Sequence, residues 1–349
     1  MSCDIIIPVY NQLGYTKGCI ESIQKHTDYK HRIIVIDDSS GEEAAVYLDR
    51  LSSINEIILL RNQSNLGWVK SVNKGIAYSK AEYACVMNND TLVYPGWLSE
   101  MVNIAEKENE IGIVNPIWEL PKNYCAAKGD YFKNVIRKQQ GKFMETDWAR
   151  GFCFLVKRKV LEKIGGLDEI FSPGYYDDWD FSLRAVNAGF TVVRAQGAFV
   201  WHYRNITYEQ KFGRKGMDAE FNAKKQIFLS RWGKFKKALL VVDGSLKDKE
   251  NNIKKACLYL LRQQARLVVF KGGNKFSVNH TNCFVKETSD YFLKAAVLLH
   301  LLRNSLRSAN RRYDYVICSE HIKNFLDKFK FISGKFVLKR IAELPSRGG

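Results

Sequence analysis

The sequence predicts an α/β chain in two parts: a domain with a mostly parallel sheet over residues 1–230, and a smaller basic α/β domain over residues 231–349. Three observations carry this. Short apolar runs alternate with segments whose apolar residues recur at helical spacing, the pattern of strands joined by crossover helices. Acids and amides cluster where the apolar runs end, the edge at which parallel sheets hold ligands. Charge is uneven: residues 1–230 carry 29 Lys and Arg against 28 Asp and Glu, whereas residues 231–349 carry 25 against 9.

The elements follow in order. "DIIIPVY" and "RIIVIDDSS" are continuous apolar runs, as expected of strands buried on both faces. Between them "YTKGCIESIQKHT" places Cys19, Ile20 and Ile23 on one helical face. "EEAAVYLDRL", "EIILLRN", "GWVKSVNKGIAYSK" and "YACVMNND" continue the alternation, and Pro95 suits the first turn of a helix beginning near Gly96. From Gly112 the pattern is less regular, through "IGIVNPIW", "FCFLVKR", "VLEKIGGLDE", "YYDDWDFSLRAVNAGF" and "TVVRAQGAFVWHY". Beyond Lys234 a second alternation reads "ALLVVDG", a helix over 250–264, "RLVVFKG", a helix over 289–308, "YDYVICS" and a helix over 320–329, with the boundary near 228–237.

Composition narrows the setting. With 46% hydrophobic residues, the 349-residue chain can build substantial cores. Its start lacks a basic segment of signal-peptide type, and no apolar run is long enough to span a bilayer. Eight scattered cysteines without a C-x-x-C pair suit reduced thiols in the cytoplasm better than a zinc site or disulfide framework. The basic second domain attracts polyanions, among which lipid headgroups and lipid-linked pyrophosphates are expected partners and nucleic acid is not.

Four clusters are candidates for chemistry: Asp37-Asp38, Asn88-Asn89-Asp90, Asp177-Asp178 with Asp180, and His202. Each has a plain alternative in a helix cap, a turn or a satisfied core histidine. Their recurrence at strand ends of one domain is harder to assign to caps alone. The ordered series "IIIPVYN", "IIVIDDSS", "NQSNLGWVKSVNKGI", "MNND", "GGLDEIF", "YYDDWDFSLRAVNAGF" and His202 resembles the family-2 glycosyltransferases of GT-A fold over the first 210–230 residues.

That resemblance implies a role for each cluster. Sugar transfer needs a base for the acceptor hydroxyl, charge stabilisation on the departing diphosphate, and alignment of the two. By resemblance, Pro8, Tyr10, Asn11 and Asp38 bind the nucleobase and ribose of a nucleotide diphosphate sugar, and Asn65, Gly67 and Asn73 shape that pocket. Asp90 matches the last acid of a D-x-D element holding Mn²⁺ or Mg²⁺, and His202 a further metal ligand. Asn88 stands where that element has its first acid; it and Asn89 contribute hydrogen bonds without charge. Asp178 is the expected general base, with Asp177 second, while Asp180 orders the loop or caps the helix carrying Arg184. The reaction implied is inverting. Trp179 and Tyr175-Tyr176 either stack on an acceptor sugar or belong to the core, and Trp148, Arg150 and Gly151 border the acceptor side.

After His202, "YRNITYEQKFGRKGMD" reads either as a solvated loop or as a mobile lid contacting phosphate through Arg204, Lys211, Arg214 or Lys215. The helix "SDYFLKAAVLLHLLRNSLRSANRR" is either a core helix with solvated basic side chains or a membrane-docking element carrying Lys294, Arg303, Arg307, Arg311 and Arg312. The second domain also resembles, faintly, part of the first half of a GT-B glycosyltransferase. The resemblance points to a cytoplasmic enzyme, peripheral to the inner membrane face, that extends a surface polysaccharide such as capsule or lipopolysaccharide on a glycan or lipid-linked glycan acceptor. The alternatives are a nucleotidyltransferase, disfavoured by the missing Gly-rich loop after the first strand, and a non-catalytic protein of this fold that grips a polyanion.

Overall fold

The computed structural model describes residues 1–118, 135–203, 206–273, 276–306, 312–329 and 337–340. The chain divides into two compact units, Met1–Gly233 and Lys234–Gly349.

In the first unit, strands β1 (Cys3–Val9), β2 (His31–Asp37), β3 (Ile58–Arg61), β4 (Tyr83–Met87), β5 (Thr91–Val93), β6 (Ile111–Ile117), β7 (Phe143–Glu145), β8 (Cys153–Lys157) and β9 (Thr191–His202) form one sheet. Its order is β3-β2-β1-β4-β8-β6-β9-β5, with β7 also on β9. Strands β1 to β4, β6 and β9 run one way, and β5, β7 and β8 run against them. The sheet is therefore mostly parallel, as the alternation predicted.

Burial explains the unbroken apolar runs. In β1 all seven residues are buried. Cys3, Ile5, Ile7 and Val9 face one core, with Tyr83, Cys85 and Met87 of β4. Ile6 faces the other, with Ala84 and Val86. Successive side chains of a strand point to opposite faces, so a strand covered on both sides is apolar except where a buried polar group is paired, as Asp4 is with Arg32 and Ser79. The helix Trp68–Tyr78 lies hard against this second face, where a Cβ on Gly75 would collide with Ile6 and Ile36.

The topology gathers the candidate residues at one edge. Asn11, Asp38 and Asn88 follow the carboxyl ends of β1, β2 and β4, and Gly151-Phe152 lead into β8, whose Cys153 pairs with Met87. Strand β9 ends at His202, opposite Thr91 of β5. Pro95 precedes the next helix rather than entering it: Gly96, with φ of 78°, is the cap and the helix is Trp97–Ala105.

The segment after His202 departs from both readings of a loop or lid, because Ile206–Trp232 is one helix. Arg204 and the side chains of Lys211 and Arg214 lie outside the described residues, and Lys215 lies on the helix. The Lys224 ammonium donates to the Ile170 carbonyl at 3.0 Å, and Arg231 bonds Asp168 and Asp180 at 2.8 and 2.7 Å. These contacts fasten the helix to the segment that carries Asp177 and Asp178.

The second unit holds β10 (Lys236–Val242), β11 (Ala265–Lys271), β12 (Cys283–Glu287), β13 (Tyr315–Cys318) and β14 (Val337–Arg340) in the order β12-β11-β10-β13-β14. All four pairings are parallel. Leu239 and Val241 face a core shared with the helix Asp290–Ser305, and Ala238, Leu240 and Val242 a core shared with the helix Glu250–Arg262. Arg307 and Arg311 lie outside the described residues.

Candidate active site

Asp38 is buried at the end of β2, and three donors converge on its carboxylate. Asn62 Nδ2 and the Leu66 amide reach Oδ1 at 2.7 and 2.8 Å, and the Gly67 amide reaches Oδ2 at 2.9 Å. Asn65 Nδ2 donates to the Asp38 carbonyl at 3.3 Å. Asp38 thus shapes the loop that launches the helix Trp68–Tyr78. Gly67 suits this loop: its φ is +86°, and a Cβ there would press on Pro173.

Asn11, with φ of 56°, follows Pro8 and Tyr10 and accepts from the Gly41 amide at 2.8 Å, while its own amide donates to Ser40 Oγ at 2.9 Å. Asp37 is fully engaged in support, accepting from the Ser40 amide and Arg61 Nε. Asn73 faces away from these groups. Its side chain bonds both backbone groups of Leu167, at 2.9 Å each, and holds the Gly166–Asp168 segment against the helix.

Asn88, Asn89 and Asp90 play three different parts. Asn89 is buried and donates to Thr16 Oγ1 at 2.9 Å. Asn88 Oδ1 accepts from Trp68 Nε1 at 3.0 Å, and its Nδ2 lies 3.4 Å from His202 Nε2. Asp90 Oδ1 lies 3.2 Å from that same His202 nitrogen. His202 is largely buried, its ring stacked on Phe152 with centroids 4.8 Å apart.

Asp177 and Asp178 open the helix Asp177–Asn187, where the helix dipole favours negative charge. They are aimed by Tyr175 and Tyr176, whose φ values of 72° and 65° are uncommon for aromatic residues. Asp178 is half-buried; its Oδ2 accepts from the Gly151 amide at 2.8 Å and its Oδ1 from its neighbour Trp179's amide at 2.8 Å. Burial pushes its acidity toward the neutral form, against those two amides and the charge of Arg150. Asp177 is more buried. Burial first, and the adjacent Asp178 second, hold its carboxyl well above the ordinary range. Asp180 is wholly buried and spends its oxygens on Arg184, Arg231 and Trp232.

The turn Arg150–Cys153 joins these stations. The Gly151 amide holds Asp178, the Phe152 carbonyl accepts from the Asn88 amide at 2.8 Å, and the Phe152 ring carries His202. Asn115 supports the turn from below, donating to the Cys153 carbonyl and accepting from the Arg150 amide. A Cβ on Gly151 would lie 3.3 Å from Asp178 Oδ2 and 3.4 Å from the Trp68 ring, the ring that also bonds Asn88. Trp118, Arg150, Trp148, Trp179 and Tyr176 form a run of stacked groups beside Asp178. Arg150 lies 5.0 and 4.0 Å over the Trp118 and Trp148 rings, and the Trp148 and Trp179 centroids are 4.2 Å apart.

Residues 4–165 match the family described as Glycosyl transferase family 2. The first unit belongs to that family. An uncharacterized glycosyltransferase of Haemophilus influenzae is 28% identical over 138 residues, 39% of this chain and 38% of its own. The glycosyltransferase GlyG of Streptococcus pneumoniae is 25% identical over 179 residues, 46% of this chain and 58% of its own. An uncharacterized protein of Mycobacterium tuberculosis is 25% identical over 222 residues, 61% and 78% of the two chains. Among solved structures, a mannosyltransferase from Pyrobaculum calidifontis, in complex with GDP-Man and Mn²⁺, superposes with a TM-score of 0.49 at 16% identity, covering 64% of each chain.

In this family-2 glycosyltransferase unit, the sequence reading brought Asp38, Asn88, Asp90, Asp178 and His202 to one sheet edge and overlooked what connects them. Trp68, Asn62, Asn115 and Phe152 were missed. Only Trp68 left a trace, as an indole set directly after the glycine of "NLGW".

Proposed function

We propose that the chain is an inverting, metal-dependent glycosyltransferase. It moves a sugar from a nucleotide diphosphate sugar to a hydroxyl of a glycan or lipid-linked glycan acceptor, in surface polysaccharide synthesis at the cytoplasmic side of a membrane. The observation that carries this is the Arg150–Cys153 turn, which holds Asp178 by one amide and carries His202, beside Asp90, on the next side chain. A carboxylate raised toward neutrality and an acid–imidazole pair are thus held by neighbouring residues of one turn.

The donor side is the turn Pro8–Asn11 with Asp38, Asn65 and Gly67, where the nucleobase and ribose would lie. Asp90 and His202 suit a divalent cation. Two adjacent ligands of an octahedral ion at ~2.1 Å stand about 3 Å apart, and the observed separation is 3.2 Å. Among the described residues no third His, Cys, Asp or Glu joins them, so diphosphate oxygens and water would complete the shell. When bound, Mn²⁺ or Mg²⁺ supplies charge to the departing diphosphate.

Asp178 takes the proton of the acceptor hydroxyl as its oxygen bonds the anomeric carbon. The bond to the diphosphate breaks on the opposite face, its electron pair leaving with the phosphate, and the centre inverts. Burial that raises its pKa strengthens Asp178 as a base. Asp177, more buried, supports it. The part-exposed Trp148–Trp179–Tyr176 stack lies beside Asp178, where an acceptor sugar would pack against its ring edges.

Thermal denaturation with UDP, dTDP, GDP and CDP, each with and without Mn²⁺, tests the reading. One nucleotide should raise the melting temperature, and Mn²⁺ should enlarge that rise; saturation at 100 times Kd corresponds to ~2.7 kcal/mol. Asp90→Ala should remove the Mn²⁺-dependent part. Asp178→Asn should keep the whole shift while abolishing transfer from the matching donor sugar. No shift with any nucleotide, or normal transfer by Asp178→Asn, overturns the proposal.

A further inference from the structure

We infer that the second unit docks in the plane of an anionic phospholipid surface through the outward face of the helix Asp290–Ser305. The inward face is ordinary, with Leu293, Val297 and Leu301 buried against the sheet. The outward face should then be polar. Instead Tyr291 is 87% exposed, Phe292 60% and Leu299 49%, and Leu306, one residue past the helix end, 87%. At 100° per residue these four fall within an arc of about 100°. They form one apolar stripe rather than scattered exceptions. Edge strand β12 adds Phe284, 46% exposed on the face of the sheet that the helix covers, and Lys286 Nζ ties the strand to the helix at 3.4 Å from His300 Nδ1.

Charge decides among occupants. Residues 234–349 hold 24 Lys and Arg against 9 Asp and Glu. Arg303 is exposed on the same side of the helix as Leu299, Lys286 is exposed on the same face of β12 as Phe284, and Arg266 lies 5.5 Å over the Phe284 ring. Two carboxylates stand nearby at the helix start: Glu287, which pairs with Lys271 at 3.6 Å, and Asp290. A second copy seated on this face would bring like charges together as the apolar groups met. An anionic lipid surface neutralises the basic rim while accepting Tyr and Phe at headgroup depth. Among the described residues no helix is long and apolar enough to cross a bilayer, so the contact lies in the plane. The inference stands apart from the chemistry proposed for the first unit.

Co-sedimentation of the full chain with vesicles tests it. Phosphatidylglycerol–phosphatidylcholine vesicles should bind the protein, and phosphatidylcholine alone should bind it at least about tenfold less. Tyr291→Ser with Phe292→Ser should lower partition about tenfold with an unchanged melting temperature. Should that pair disturb folding, Leu299→Ser with Leu306→Ser serves instead. Arg303→Glu should weaken binding and its salt dependence. Three results overturn the inference: no binding to anionic vesicles, equal binding by the apolar variants, or a dimer in light scattering that the apolar variants dissociate.

Discussion

Asp180→Ala separates anchoring from chemistry within the acidic segment. Asp180 is completely buried, and its two oxygens accept from Arg184 Nε at 2.8 Å, Arg231 Nη1 at 2.7 Å and Trp232 Nε1 at 2.9 Å. Removing one partner of a fully buried ion pair costs about 3–5 kcal/mol. Here the arginine side chains keep 22% and 34% of their exposure, and Arg231 retains Asp168, so both can recover some solvation. That places the ionic loss near ~2 kcal/mol, and the lost Trp232 bond adds about 1 kcal/mol. For a unit of this size ~3 kcal/mol lowers the melting temperature by about 6–12 °C. The assay is thermal unfolding of the full chain by circular dichroism, with limited proteolysis to locate cleavage in the helix Ile206–Trp232. Asp178→Asn is the control and should shift melting by less than about 4 °C, because its one oxygen still accepts from the Gly151 amide and only the bond from the neighbouring Trp179 amide, about 1 kcal/mol, is lost. If Asp180→Ala melts within about 2 °C of the parent, the anchoring role is wrong.

Two further substitutions probe the same segment. Asp177→Asn should raise the melting temperature: burial and Asp178 hold Asp177 above its unfolded value, so ionisation opposes folding as pH rises above about 4. The gain should be larger at pH 8 than at pH 5, and equal gains at both would exclude the titration as its cause. Gly151→Ala should lower transfer by more than about tenfold through displacement of Asp178, the crowding at 3.3 Å being small enough to leave the fold intact. Its signature is a fall in kcat with nucleotide-induced stabilisation retained.

Local chemistry made much of this protein legible from its residues. A strand covered on both faces is apolar through its middle, so the runs Ile5–Val9 and Ile33–Ile36 announced themselves. The acids and amides at Asp38, Asn88–Asp90 and Asp177–Asp178 stood out because they interrupt that apolarity. What Ile206–Trp232 does was not legible. Its composition is basic and glycine-containing, like a loop, and its helix is fastened by Arg231 and Trp232 to Asp180, 51 and 52 residues away. The division of labour among neighbouring acids was equally hidden. Asp177, Asp178 and Asp180 are one residue type within four positions, and only burial and partners tell the half-buried Asp178 from the anchor Asp180.

Sequence by itself determined the alternation of strands and helices, the unequal charge of the two parts and the residue types at the sheet edge, because these depend on period and composition. Tertiary structure alone decided that Asn73 turns to Leu167, that Asn89 bonds Thr16, and that Gly151 and Phe152 join Asp178 to His202. Those contacts span from 27 to 94 residues of chain or depend on which way a side chain faces once packed. No local pattern encodes them, since each arises only when the sheet brings distant strand ends side by side.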